Sequence, residues 1–380
     1  MRSPLRTLPA FILLLLSTVA GAATGPVPPP PSLEATSWVL VDQQSGQMLA
    51  GHRANDRVEP ASITKLMTAY AVFHALREGK FKLDTEVPIS EHAWRSEGSR
   101  TYLDLNSRVP VEVLIQGMIV QSGNDATIAL AEAIAGTEDT FAALMNQYAE
   151  RLGMRQSHFQ NATGLPGTNH QMSAADIARL TRAIIDEFPQ YYRWYSQLEF
   201  TWNNITQPNR NGLLRRDPSV DGVKTGMTDA AGYCLVSSAK REGMRLIAVV
   251  TGTKSMKARE DASLALLNYG FNFFETRTLK KARTELAVHR IYKAPNGRAA
   301  VGLAEDLWVT LPRGQADRVE YKIELAPRLF APLSKSDRVG VLRALVDGKV
   351  VAEVPLRPIA DVPRGNIFRR IWDTILSWFD

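Results

Sequence analysis

One cysteine, Cys234, stands in 380 residues, together with six histidines. A single thiol closes no internal disulfide, so an apolar core must hold the fold together, and Cys234, in an alternating apolar run, reads as a small buried hydrophobe. No cysteine stands directly after the N-terminal apolar stretch, which excludes lipidation there. The histidines form no His-x-x-x-His pair and no cluster with acidic residues, which argues against a metallopeptidase, and no cofactor is called for. Lys and Arg number 45 against 39 Asp and Glu. That excess is modest, and no basic run is interleaved with aromatics, so no nucleic-acid surface is expected. The N-terminal run from Phe11 to Leu16 falls short of the roughly 20 apolar residues of a membrane span. It follows Arg2 and Arg6 and precedes Ala20-Gly21-Ala22, so residues 1–23 read as a cleaved secretory signal.

Hydrophobic residues make up 45% of the chain, enough for about two domains. A Pro-rich leader over 24–35 reads as stiff and exposed. Ser37 to Asp42 and Gln47 to Ala50, around a turn, read as a hairpin. Val111 to Ala135 is helical but interrupted at Gln121-Ser122-Gly123-Asn124-Asp125. Further helices are expected at Asp139 to Leu152 and Ala174 to Phe188. Val220 to Gly226, Tyr233 to Ala239 and Arg245 to Thr251 read as an antiparallel meander, with a helix ending near Phe271 to Phe274 packed on it. Beyond Thr278 short alternating segments replace the helices, and the Asp347-Gly348 pair suits a two-residue hairpin turn. Residues 363–380 form an amphipathic helix whose apolar face includes Ile367, Phe368, Ile371, Trp372, Ile375, Leu376 and Phe379, with Trp378 nearby. Arg364, Arg369 and Arg370 flank its start, a composition suited to the interface of an anionic membrane. Docking on the chain's own β domain is the competing reading.

The chemistry is expected at Ser62-Ile63-Thr64-Lys65. Pro60 suits a helix entry, and Ile63, Leu66, Met67, Tyr70 and Phe73 recur at helical spacing, which puts Ser62 and Lys65 on one face of a buried helix. A buried lysine that has lost its proton can deprotonate a serine. Alone the pattern is weak, since roughly one or two Ser-x-x-Lys matches arise by chance in a chain this long. Ser237 to Lys240 is a second match, but it lies in a strand, where residues three apart face opposite sides. At the helix break, Asn124 or Asp125 can serve simply as a cap; the functional reading puts Ser122 and Asn124 at the bottom of a cleft facing Ser62 and Lys65. A third signal is Lys224-Thr225-Gly226, entering the meander.

In this order and context, the three signals resemble the active-site-serine penicillin-binding proteins and β-lactamases, and most closely the low-molecular-mass D-alanyl-D-alanine carboxypeptidases. Gln121 to Ala126, Asn209-Arg210-Asn211-Gly212-Leu213-Leu214, Val220 to Gly226 and Ala231-Gly232-Tyr233 extend the likeness. It implies an α+β fold: a β-lactamase/penicillin-binding-protein-like catalytic domain over 36–279, with an antiparallel sheet, flanking helices and a helical subdomain. A small β-sandwich-like domain over 280–362 and the terminal amphipathic helix would follow.

The same resemblance implies that Ser62 is the acylated nucleophile, with Lys65 its base and Ser122 and Asn124 relaying protons and holding the substrate amide. Lys224, Thr225 and Gly226 would take the terminal carboxylate, with Arg259 supporting them. The backbone N–H groups of Ser62 and Met227 would form the oxyanion hole. Expected partners are peptidoglycan stem peptides, β-lactams as covalent inhibitors and the inner-membrane surface, at which the exported protein would sit on the periplasmic side. Met227 and Thr163 stand where family histidines are common. The Glu-x-x-Leu-Asn string of a deacylating β-lactamase is missing, so slow release of a penicilloyl group is expected. An endopeptidase acting on cross-links uses the same residues, and a non-catalytic wall-binding scaffold is the reading from another class.

Overall fold

The computed structural model describes residues 27–376; the expected signal, the start of the leader, and Trp378 and Phe379 lie outside the described residues. Five strands form the central antiparallel sheet: β1 (Ser37–Asp42), β2 (Met48–His52), β3 (Val220–Thr228), β4 (Gly232–Arg241) and β5 (Met244–Thr253), in the order β2-β1-β5-β4-β3. Side chains alternate across it, so one sequence run feeds two cores. Val39, Val41, Val236, Ile247 and Val249 join the larger core with the helices. Trp38, Leu40, Leu235, Leu246 and Val250 face the other way, against Leu266, Leu267 and Phe271.

The helices that bear on the site are α1 (Lys65–Arg77), α2 (Val111–Gln116), α3 (Asn124–Ala135), α4 (Glu138–Arg151), α5 (Ala174–Glu187) and α6 (Met256–Phe273). Helix α1 is buried on nearly every side. A short tight turn, Ala61–Thr64, leads into it directly after Pro60. Gly270 lets α6 cross the sheet closely, because a Cβ there would lie 2.4 Å from Leu246 Cδ1. The leader is less free than its prolines imply: Tyr269 Oη donates to the Pro28 carbonyl at 3.0 Å, and Val27 and Leu33 pack beside α6.

Phe274–Lys280 pairs antiparallel with Leu307–Pro312. The division expected at 279/280 falls within this strand, whose first residue, Phe274, packs in the core shared by the sheet and α6. A six-stranded sheet completes the domain, and Leu307, Val309, Leu311, Leu342 and Leu356 share its core. Asp347 and Gly348 both take positive φ, 50° and 75°, as a two-residue hairpin of this hand requires. Buried Asp42 in the sheet hairpin accepts from Thr276 Oγ1 at 2.7 Å, joining the two domains.

The last helix, α7 (Ile367–Leu376), lies on the β domain with its apolar face outward. Phe368 is 80% exposed and Trp372 59%, whereas Asp373 is 1% exposed. The Asp373 carboxylate accepts from the Lys293 backbone N–H at 2.5 Å and from Arg369 Nε at 3.1 Å. The described part of the helix thus docks on its own domain by its polar side.

Candidate active site

The site forms where the tight turn before α1, the break between α2 and α3, and strand β3 meet. After α2 the chain runs through a wide helical turn, Gly117–Gln121, into Ser122 at φ 67° and ψ 29°. Gly123 comes next because nothing larger fits: a Cβ there would lie 2.0 Å from Thr101 Oγ1 and 2.9 Å from the Thr101 backbone nitrogen. Buried Asp125 caps the segment alongside, accepting from the N–H groups of Thr101 at 2.8 Å and Leu103 at 3.2 Å. Asp125 thus does the structural work at the break, which leaves Ser122 and Asn124 to face the cleft.

Lys65 is 1% exposed. Its Nζ donates to Ser62 Oγ at 3.1 Å, to Asn124 Oδ1 at 2.7 Å and to the Thr163 carbonyl at 2.7 Å. Burial, reinforced by the Arg210 guanidinium, pulls its pKa down to about 7. Asn124 is fixed in turn, its Nδ2 donating to the Glu97 carbonyl at 2.6 Å. Across the cleft, Lys224 Nζ donates to Ser122 Oγ at 2.9 Å and to the Thr225 carbonyl at 3.0 Å. Burial, with Lys65, Arg210 and Arg259 adding like charge, holds the Lys224 pKa well below its ordinary value. Neither lysine has a carboxylate ion-pair partner among the described residues.

Strand β3 is the sheet's edge, so it keeps backbone groups unpaired toward the nucleophile turn. Gly226 makes the approach possible, since a Cβ on it would lie 3.0 Å from the Pro60 carbonyl and 3.2 Å from Ala61 Cβ. Arg259 reaches under the strand from α6, donating to the carbonyls of Gly226 at 3.3 Å and Cys234 at 3.4 Å. Ser62, Ser122, Asn124, Thr225, Gly226, Met227 and Arg259 all border one cleft of about 440 Å³. The three motifs that carry the resemblance are thereby brought together. Ser237 and Lys240 are not: they sit in β4, Ser237 buried and Lys240 exposed.

Several lining residues were not singled out. Arg210, Leu165, Tyr233 and Met256 border the cleft from loops and elements distant in sequence. Arg210 belonged to a recognised string, yet nothing local showed that its charge would bear on both lysines. Thr163 acts by its main chain: its hydroxyl donates to Asn161 Oδ1 at 3.2 Å within the loop, while its carbonyl meets Lys65. No side-chain pattern signals such a contact.

A helical core and edge strand enclosing a serine beside a buried lysine fit the class of active-site-serine acyl-transfer enzymes. Residues 24–255 match the family model described as D-alanyl-D-alanine carboxypeptidase, and residues 274–364 match that of the penicillin-binding protein 5 C-terminal domain. D-alanyl-D-alanine carboxypeptidase DacA of Escherichia coli K12 is 40% identical over 361 residues, covering 93% of this chain and 90% of that one. Penicillin-binding protein 5 from Haemophilus influenzae superposes with a TM-score of 0.85 at 41% identity, over 88% of this chain and 99% of that one. Penicillin-binding protein D2 of Listeria monocytogenes, solved in its ampicillin-bound form, matches at TM-score 0.59 and 28% identity, over 64% of this chain and all of that one (100%). The chain belongs to the D-alanyl-D-alanine carboxypeptidase family.

Proposed function

We propose that the protein is a serine D-alanyl-D-alanine carboxypeptidase that trims the terminal D-alanine from peptidoglycan stem peptides through an acyl-enzyme. The observation that carries this reading is the buried Lys65 ammonium 3.1 Å from Ser62 Oγ, with a pKa near 7. Near neutrality a large fraction of Lys65 is unprotonated and can take the Ser62 proton as Oγ attacks the carbonyl between the two D-alanines. The N–H groups of Ser62 and Met227 receive the developing oxyanion; both are backbone donors, so Met227 fills the role whatever its side chain. Ser122, bonded to Lys224, passes a proton to the departing amine, and Asn124 holds the substrate amide. Lys224, Thr225 and Gly226 take the terminal carboxylate, and Arg259 braces their strand. Water then releases the shortened peptide.

β-Lactams fit the same route, as covalent inhibitors that acylate Ser62 and leave slowly. The protein acts after export, at the periplasmic face of the inner membrane. Attachment through residues 363–380 is supported by the outward-facing Ile367, Phe368, Ile371 and Trp372 beside Arg364 and Arg370. Among the described residues no helix is long and apolar enough to cross a membrane, which fits a peripheral anchor. Covalent labelling by fluorescent penicillin tests the nucleophile: Ser62→Ala should fold and stay unlabelled, and a labelled Ser62→Ala protein would remove Ser62 from the mechanism.

A further inference from the structure

His170 is 3% exposed and sits behind the cleft, outside every motif used above. Its Nδ1 accepts from the Gln160 backbone N–H at 3.1 Å, and its Nε2 lies 2.8 Å from Thr64 Oγ1. A main-chain amide can only donate, so Nδ1 is bare and the ring proton is on Nε2, where it donates to the Thr64 hydroxyl. Thr64 lies between Ser62 and Lys65. The loop that His170 closes is laced to α1 at two further points: Thr68 Oγ1 donates to the Ala162 carbonyl and Lys65 Nζ to that of Thr163, each at 2.7 Å. Gly164 presses on the nucleophile turn so closely that a Cβ would lie 1.8 Å from the Ala61 carbonyl oxygen and 2.8 Å from Thr64 Oγ1. The Phe159 ring backs the imidazole edge-on, with centroids 5.8 Å apart.

We propose that His170 is a positioning residue for acylation, a neutral imidazole that ties both ends of the 160–170 loop to Thr64. Through that tie it holds the Thr163 carbonyl on Lys65 and Lys65 on Ser62. The inference rests on the reading of Ser62 and Lys65 as nucleophile and base. Burial, with His158 and Lys65 acting the same way, pulls the ring's pKa down to about 4, so the ring is neutral and keeps this tautomer near neutral pH. Protonation would turn Nδ1 into a donor facing the Gln160 N–H. The titratable groups around Lys65 are the Arg210 guanidinium, the Lys224 amine, whose own pKa is depressed, the carboxyl groups of Asp125 and Glu138, and the imidazole of His170. Burial is the largest cause of its depressed pKa, so a loosened loop that admits water should raise it.

The test measures penicillin acylation rate and pentapeptide kinetics against pH for wild type, His170→Leu, His170→Gln, Thr64→Val, the His170→Leu/Thr64→Val double variant, and Ser62→Ala. His170→Leu and Thr64→Val should each slow acylation by about 10- to 100-fold, the scale of a misplaced reacting group. Peptide KM should change by less than about threefold, because the loss falls on the chemical step. The acid limb of the rate profile should move to higher pH, and the double variant should be no slower than the slower single one. His170→Gln keeps an N–H donor and should recover most of the rate. If His170→Leu does not fold, Thr64→Val carries the test by the same limb shift. Wild-type acylation in the variants while Ser62→Ala stays dark would overturn this inference alone. So would a slowed rate with an unmoved limb and additive effects, which is the mark of a merely structural contact. Labelling of Ser62→Ala would instead overturn the nucleophile reading beneath it.

Discussion

At the scale of single residues, two lysines in one cleft are kept apart by what they touch. Lys65 is held by a serine, an amide and a carbonyl, and Lys224 by a serine and a carbonyl. Neither environment neutralises an ammonium, so burial favours the uncharged form at both. The folded pKa of Lys65, about 7, lies below the ordinary lysine value of 10.5. The unfolded chain therefore binds a proton that the folded one does not, and this group favours folding progressively more as pH rises from about 7 to 10.5. Activity has the same sign. The acylation rate should climb with pH through an acid limb near 7 as Lys65 loses its proton, read from penicillin labelling between pH 5 and 9 (about two units either side). A flat profile across that range would contradict the base assignment. Register puts Ser62 and Lys65 on one helix face, but the sequence holds a second Ser-x-x-Lys match, and Ser122, Asn124 and Lys224 stood out through the order and context of the three motifs rather than through local chemistry. The Thr163 carbonyl and the reach of the Arg210 charge were not legible, because one is main chain and the other sits in the short connection between Ile205–Pro208 and Leu213–Arg216, brought near Lys65 only by the fold.

At the scale of elements, the site depends on three places where main chain approaches main chain: Gly123 at the helix break, Gly164 on the nucleophile turn and Gly226 on the edge strand. The helix break could be read from polar residues interrupting an apolar run, but its division of labour could not. Asp125 binds Thr101 and Leu103, which lie over twenty residues earlier, and only the packed structure shows that this frees Asn124. Gly123 has an ordinary φ of −59°, so its requirement is steric. Gly123→Ala should lower the unfolding free energy by about 1–3 kcal/mol through overpacking against Thr101, measured by denaturant titration. Stability equal to wild type would show that Thr101 yields easily. The meander and the Asp347-Gly348 hairpin followed directly from alternation and turn chemistry. The strand Phe274–Lys280 was not expected, because it follows α6 without a break.

At the scale of the whole molecule, a sheet-and-helix catalytic domain is joined to a β domain that carries the terminal helix. The joint includes a buried polar contact, Asp42 with Thr276, beside a Ser45–Thr310 hydroxyl pair at 2.6 Å. The amphipathic pattern of α7 was plain in the sequence; that Asp373 would dock its polar side was not, because the partner is the main chain of Lys293. Deleting residues 364–380 should release the protein from membrane vesicles with activity on soluble peptide unchanged; a truncated protein that still sediments with vesicles would refute the anchor. The central claim is tested most directly by D-alanine release from a pentapeptide ending in D-alanyl-D-alanine, with wild type and Ser62→Ala compared and a cross-linked dimer run in parallel. The account predicts release from the pentapeptide by wild type and none by Ser62→Ala, with the dimer the poorer substrate. Turnover of neither substrate, or preferential cleavage of the dimer, would contradict it.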